Sequence, residues 1–229
     1  MHIQDTFLTG RWVAAWYVAA SVFVGKGIYD IKRKSEQVPM FKPLVGMMGA
    51  AVFFISLIPI PVPFTGTSSH PAGTPLAAIL LGPFVGTVLS VAALLLQALF
   101  FAHGGLSTLG ANVVSMGVAG SLVSVGVFLL ARKLRCPLAL AAGLAGFFGD
   151  LAVYFTSSLE LALGLPNMPF GSVGEGFITF LGIYVWTQLP IAVLEGVVTG
   201  GMVAYTARVR PDIFRSLGLL PAVRQEVQA

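Results

Sequence analysis

The chain has 229 residues, of which 56% are hydrophobic and only 10% charged, and its mean hydropathy is +0.90. Soluble domains carry about 25% charged residues, so this composition excludes a protein whose whole surface faces water. The net charge of +4 does not indicate nucleic-acid binding, because the basic residues lie in the breaks between apolar segments, where they act as topology signals.

The N-terminus reads as a short arm, residues 1–9, followed by a first apolar helix at 10–31. The opening lacks the basic region and the small-residue cleavage site of a signal peptide, so we expect it to stay on the protein. A bulky His2 also disfavours removal of the initiator residue. We therefore expect Met1 to present a free α-amine outside the membrane.

Further apolar stretches follow, separated by short polar or Gly/Pro breaks, at residues 42–60, 76–102, 108–131, 138–164 and 173–207. A membrane-spanning helix needs about 20 apolar residues, so most of these stretches are long enough. We predict one integral membrane domain over 1–229, with a core bundle at 42–207 and a cytoplasmic tail at 208–229.

Basic residues orient this bundle. They cluster after the first, fourth and last apolar stretches, at Lys26, Lys32, Arg33, Lys34 and Lys42, at Arg132, Lys133 and Arg135, and at Arg208, Arg210 and Arg215. The positive-inside rule places such clusters in the cytoplasm, so the N-terminus is predicted outside and the C-terminus inside a prokaryotic cell membrane.

This orientation requires the region 61–107 to cross the membrane an even number of times. The inner turn is predicted at Gly82-Pro83, which makes 61–81 an inward crossing rich in Pro, Gly and hydroxyl groups. Irregular backbone at membrane depth survives only where protein covers it or where it lines a cavity. We predict an all-α bundle of seven segments with His70 inside it, although a re-entrant loop would give the same parity.

The three histidines, His2, His70 and His103, all fall at the predicted outer side. The Met1 amine, the amide nitrogen of His2 and the His2 ring Nδ1 can close two fused chelate rings around one metal ion, and His70 can supply a fourth nitrogen. Four nitrogens in a plane suit Ni(II) or Cu(II).

Four sequence blocks occur in the order typical of one known family. They read MHIQDTFL, GTSSHPAGTPLAAILLGP, LLLQALFFAHGGLSTLGANVVSMG and QLPIAVLEGVVTG. Together they resemble the nickel- and cobalt-binding S components of energy-coupling factor (ECF) importers, the CbiM/NikM type. Two positions depart from the family pattern, because Thr6 stands where Gly is usual and Thr9 where Pro is usual, which leaves the path of the arm open.

The resemblance implies that Met1, His2 and His70 bind the transported Ni(II) or Co(II), and that 10–31 is a helix added to a six-helix S-component core. It also implies partners: a coupling transmembrane (T) subunit and two P-loop ATPase subunits, with a small auxiliary membrane subunit as an optional further component. Accordingly, this chain carries no P-loop motif of its own, and we expect no enzyme activity and no cofactor.

Other residues are weaker candidates. His103, Asn112 and Ser69 are predicted to support the ligands or to line the path by which the ion enters. Glu195 lies within an apolar run and is predicted to form a hydrogen bond inside the bundle. Gly46 and Ala50 have the small-residue spacing of a close helix contact, and by the resemblance they are candidates for the T-subunit interface or for packing within the bundle.

Three alternatives remain at this stage. One is an S component for a vitamin-like organic substrate, with an aromatic pocket and no need for a free N-terminus. Another is an intramembrane enzyme using Ser68, Ser69 and His70, although no base–nucleophile spacing is recognisable there. The third is a structural subunit that binds no ion.

Overall fold

The computed structural model describes residues 2–57, 60–62, 67–165 and 170–220. The helices are α1 (Gly10–Gln37), α2 (Phe41–Ile55), α3 (Thr74–Leu81), α4 (Pro83–Phe100), α5 (Leu109–Asn112), α6 (Gly120–Lys133), α7 (Leu138–Gly164), α8 (Val173–Val209) and α9 (Pro211–Ser216). A π-helix, Val113–Ala119, joins α5 to α6 without a break in the helical run. The chain is therefore mostly helical, as its composition predicted.

Among the described residues, four helical runs are long and apolar enough to cross a membrane: Pro83–Phe100, Leu109–Lys133, Leu138–Gly164 and Val173–Val209. The α2 helix is apolar but has only 15 residues. The α8 helix has 37 residues and is about 55 Å long at 1.5 Å per residue. These runs support a multi-pass bundle, while the count of seven crossings and the orientation stay predictions.

The predicted turn at Gly82-Pro83 is present. The α3 helix ends at Leu81 and α4 begins at Pro83, with Gly82 between them at φ 101°, a conformation that favours glycine. Lys34 of α1 donates a hydrogen bond of 2.5 Å to the carbonyl of Leu81, which holds this turn against the first helix.

The described part of the segment 61–81 is more regular than predicted. Its second part is the α3 helix, in which every residue is buried. Burial on all sides explains why a stretch rich in Pro and Gly is tolerated here, since neighbouring helices and not lipid cover its backbone.

Three short strands that were not predicted accompany the helices. They are β1 (His2–Ile3), β2 (Ile60–Val62) and β3 (Thr67–Ser69), and they form an antiparallel sheet in the order β1-β3-β2. His2 pairs with Ser68 in this sheet. The pairing satisfies backbone N–H and C=O groups that would otherwise be unpaired in the interior of the bundle.

Glycines at the α7–α8 contact let these two helices approach closely. A Cβ on Gly196 would lie 2.9 Å from the carbonyl oxygen of Gly143, and one on Gly200 would lie 3.2 Å from the Gly143 Cα. The pair in α8 therefore packs the bundle. By contrast, Gly46 and Ala50 of α2 are exposed on its outer surface, and a Cβ on Gly46 would meet nothing within 4 Å.

Candidate metal centre

The N-terminal arm is inserted between β3 and the start of α5. Asn112 forms hydrogen bonds with both backbone groups of Ile3. Its Oδ1 accepts from the Ile3 N–H at 2.7 Å, and its Nδ2 donates to the Ile3 carbonyl at 3.1 Å. The Thr108 hydroxyl donates to the same carbonyl at 2.6 Å. Asn112, a predicted supporting residue, therefore holds the backbone of Ile3, the residue after His2.

The rest of the arm follows a defined path. Asp5 Oδ1 accepts hydrogen bonds from the backbone N–H and the hydroxyl of Ser107, at 2.8 and 2.6 Å. Thr6 has φ 71°, in the left-handed region, which is the physical reason why glycine suits this position. Thr9 has φ −69°, which proline could adopt, but its N–H donates to the Gly164 carbonyl at 2.8 Å, a bond that proline cannot form.

The rings of His2 and His70 meet in the interior, where both residues are buried. Nδ1 of His2 and Nε2 of His70 are in direct contact, and the ring centroids are 4.3 Å apart. Nδ1 of His70 lies 2.8 Å from the Pro71 carbonyl oxygen. A carbonyl can only accept, so His70 carries its proton on Nδ1 and leaves the Nε2 lone pair facing His2.

His103 completes a cluster of three histidines. Its ring centroid lies 4.4 Å from that of His2 and 5.5 Å from that of His70, and one ligand atom from each of the three lies within 4.8 Å of the others. Nε2 of His103 contacts the Ser68 hydroxyl at 3.2 Å. His103 is only half-buried, so it forms the rim of the cluster, and His2 and His70 form its floor.

Burial favours the neutral, metal-binding form of these rings. It is the largest cause that lowers the pKa of His2 well below its usual value, with the neighbouring His70 next. It also lowers the pKa of His103 from 6.5 to about 4. A metal ion reaching the cluster near neutral pH therefore need not displace protons from these two rings.

Acidification is expected to destabilise the metal-free protein through His103. The unfolded chain protonates near pH 6.5 and the folded chain only near pH 4, so this contribution to stability is present above pH 6.5 and is lost as the pH falls through that window. Thermal unfolding from pH 7.5 to 4 would measure the loss, which should be smaller in His103→Gln. An equal loss in wild type and variant would contradict the assignment.

Ser69 does not support the cluster in the way that was predicted. Its hydroxyl bonds the Thr187 hydroxyl of α8 at 3.1 Å, and the neighbouring Ser68 bonds His103. The two ring nitrogens of His70 contact His2 and Pro71. No serine–His70 pair exists among these contacts, which removes support for the intramembrane enzyme.

Glu195 forms the predicted hydrogen bond inside the bundle. Its carboxylate accepts from the Gly73 N–H, at 3.1 and 3.3 Å from the two oxygens, and so ties α8 to the loop that carries His70. Gly73 has φ 69°, so the loop turns there in a left-handed conformation. Sequence reasoning identified Glu195 as an interior group but did not identify this partner.

Replacing Asn112 by Ala is expected to loosen the arm. The change removes the acceptor of the Ile3 N–H and one of the donors to the Ile3 carbonyl, which keeps the Thr108 hydroxyl. Loss of an outer partner typically weakens metal binding roughly 10–100-fold. Calorimetric titration with Ni(II) measures the effect, with Ser69→Ala as the matched control, because the Ser69 hydroxyl bonds α8 and not the arm. Equal affinities in Asn112→Ala and wild type would show that the grip on Ile3 is unimportant.

Met1 lies outside the described residues, so its predicted role as a ligand stays a prediction. Among the predicted site residues, the structure brings His2, His70 and His103 together, and Asn112 of α5 holds Ile3, the next residue of the arm. Sequence reasoning missed the roles of Thr108 and of the Pro71 carbonyl. No signal in the sequence could have identified them, because the sequence does not specify which group a loop hydroxyl or a backbone carbonyl will contact in the folded protein.

Comparisons with known proteins show which family the sequence resembles. Residues 2–213 match the CbiM family model, described as "Cobalt uptake substrate-specific transmembrane region". The chain is 49% identical over 223 residues to the cobalt transport protein CbiM of Geobacter sulfurreducens, covering 97% of this chain but 64% of that protein's length. It is 47% identical to the CbiM of Sorangium cellulosum, covering 95% of this chain and 96% of that protein.

Solved structures show the same fold. A crystal structure of a transition metal transporter, 25% identical, aligns with a TM-score of 0.78 over 91% of this chain and 93% of that one. A truncated transition metal transporter, 24% identical, gives the same TM-score over 91% and 99%. The family model and the relatives describe a transporter component of the cell membrane, not an enzyme. The chain belongs to the CbiM family of substrate-specific transmembrane regions for cobalt uptake.

Proposed function

We propose that this chain is the substrate-binding subunit of an ECF importer and captures Ni(II) or Co(II) from outside the cell. The observation that carries the proposal is the meeting of His2 Nδ1 and His70 Nε2 in the buried centre, at the end of an inserted N-terminal arm. Two imidazole nitrogens that face each other in a buried site can both bind one ion that takes the place of any proton between them.

The Met1 amine and the deprotonated His2 amide complete the proposed site as two further nitrogens. Four nitrogens in a plane bind Ni(II) well, and Co(II) has the same ligand preferences with lower affinity in the usual order of divalent metals. The amine and the amide must each lose a proton, so capture releases protons and becomes stronger as the pH rises.

Ion entry is proposed to pass His103. Its ring is half-buried and lies 4.4 Å from the His2 ring, so it can contact an ion that has not yet reached the buried pair. A transient ligand at the rim lets the ion lose its bound water stepwise, and the His2 and His70 rings are already in the neutral form that binds a metal.

Release to the cytoplasm is proposed to follow withdrawal of the arm. The amine, the amide and the His2 ring all belong to the arm, so one movement removes three of the four nitrogens. The contacts that resist this movement are the hydrogen bonds of Asn112 and Thr108 to Ile3 and those of Ser107 to Asp5. ATP-driven movement of partner subunits would supply the work.

The proposed partners are a T subunit, two P-loop ATPase subunits and a small auxiliary membrane subunit. A relative from Methanocorpusculum labreanum, 40% identical over 225 residues, is named "Putative fused cobalt transport protein CbiMQ", and this chain covers 37% of it. A fused relative supports a second membrane component. Gly46 and Ala50 are exposed on α2, where their small side chains permit close approach of a partner helix.

Calorimetric titration of the detergent-purified protein with Ni(II) and with Co(II) tests this function. Tight binding at one ion per chain is expected, and the ratio of the two affinities identifies the preferred cargo. Mg(II), which prefers oxygen ligands, serves as the control that should not bind. Failure to bind either transition metal would refute the proposal and restore the alternative of an organic, vitamin-like substrate.

A further inference from the structure

A metal-bound imidazole usually donates its second ring N–H to a fixed acceptor, which sets the tautomer and the ring orientation. For His70 this acceptor is visible, because the Pro71 carbonyl lies 2.8 Å from Nδ1. For His2 the ligand atom is Nδ1, so the proton must sit on Nε2. That proton also needs an acceptor.

Two buried polar atoms lack a hydrogen-bond partner at this place in the described part of the chain: Nε2 of His2 and Oε1 of Gln97. Both residues are almost fully buried, with exposed fractions of 1% and 0%. Burial dominates the lowered pKa of His2, and the Gln97 side chain acts in the opposite direction, as an acceptor facing the ring does. The Gln97 backbone carbonyl also accepts from the His103 N–H at 3.3 Å, and the His103 ring lies 4.4 Å from the His2 ring, so Gln97 lies beside the site.

The orientation of the Gln97 amide is fixed from its other end. Its Nε2 donates to the Ser56 carbonyl at 3.0 Å and contacts the Ser56 hydroxyl at 2.9 Å. A carbonyl can only accept, so the atom facing it must be the NH₂ group, and the amide oxygen must point away from Ser56. The Ser56 hydroxyl in turn donates to the Val52 carbonyl at 2.7 Å, which anchors this chain of bonds to α2.

We propose that Gln97 is a positioning residue for the metal site: it accepts the Nε2–H of His2 and holds that ring as the tautomer whose Nδ1 binds the ion. This inference rests on the proposed function, which makes His2 Nδ1 a ligand. Gln97 is not proposed as a ligand, and it acts through the His2 ring. Through Ser56 it couples the geometry of the site to the outer end of α2.

Gln97→Met tests the proposal, because methionine has a similar length and fills the same space without an amide acceptor. Ni(II) affinity is expected to fall roughly 10–100-fold, the usual effect of losing an outer partner. Gln97→Glu keeps an acceptor and should restore affinity to within about threefold of wild type. Ser56→Ala removes the hydroxyl contact but keeps the bond to the Ser56 carbonyl, so its loss should be small.

A second measurement separates positioning from packing. Nitrogen-15 NMR of histidine-labelled, metal-free protein reports which ring nitrogen carries the proton, and with only three histidines the His2 signals can be assigned from His70 and His103 variants. We expect the Nε2–H tautomer in wild type and in Gln97→Glu, and a mixture in Gln97→Met. If Gln97→Met does not fold, Gln97→Leu also lacks an acceptor and supplies the comparison with Gln97→Glu.

Unchanged Ni(II) affinity with an unchanged His2 tautomer in Gln97→Met would overturn the inference. Equal losses in Gln97→Met and Gln97→Glu would also overturn it, since they would reflect packing and not an acceptor. Wild-type protein that binds no Ni(II) would refute the proposed function instead. In that case the tautomer measurement still decides whether Gln97 accepts from His2.

Discussion

Two extra residues placed ahead of Met1 are expected to abolish tight metal binding. The extension converts the terminal amine into a peptide amide and pushes additional chain into a space where His2 and Ile3 are already buried. Loss of an outer partner costs roughly 10–100-fold in affinity, so loss of a direct ligand should cost at least about 100-fold. Titration of the extended protein with Ni(II) measures the effect.

The matched control adds the same two residues after Ala229, far from the proposed site in sequence, and it should bind like wild type. Undiminished affinity in the N-terminally extended protein would exclude the terminal amine as a ligand. The paired rings of His2 and His70 would then have to hold the ion with other partners, and His103 would be the first candidate.

Replacing His70 by Ala has the second large expected effect. It removes the nitrogen that faces His2 Nδ1 and opens a space in a fully buried position. Ni(II) affinity should again fall at least about 100-fold, because a direct ligand is lost. Calorimetry gives the affinity, and thermal unfolding without metal shows whether the fold survives.

His103→Ala is the control for that experiment. The ring at the rim is half-buried and bonds Ser68, so its removal should reduce affinity less than His70→Ala does, while slowing capture of the ion. Equal losses in the two variants would make His103 a direct ligand. A larger loss in His103→Ala would contradict the proposal that His70 is a buried ligand and His103 only a transient contact at the rim.

Hydropathy and turn chemistry predicted much of the bundle. The apolar stretch 138–164 coincides with α7, and the break at Gly82-Pro83 lies between α3 and α4. These features depend on neighbours in the chain, because a helix satisfies its own backbone and a Gly-Pro pair ends it locally. The same patterns predicted the histidine pair, since only three histidines are available and their positions at one side followed from topology.

The antiparallel pair of strands β2 and β3, against which the arm packs, was not predicted. Its strands β2 and β3 have three residues each, too few for a period-2 pattern, and the third strand comes from the N-terminus. Likewise, Asn112 reads as a helix cap or a ligand support until Ile3 is seen beside it, 109 residues away in sequence.

The chain's composition, its apolar stretches and its four motif blocks were thus sufficient to predict the membrane class and the family. They also identified the three histidines that the fold brings together. The path of the arm, the left-handed Thr6, the tautomer of His70 and the orientation of the Gln97 amide required the folded structure. The physical reason is the range of the interactions. Burial and helix formation are encoded over a few turns, whereas a hydrogen bond between distant segments exists only after packing has chosen which groups face each other.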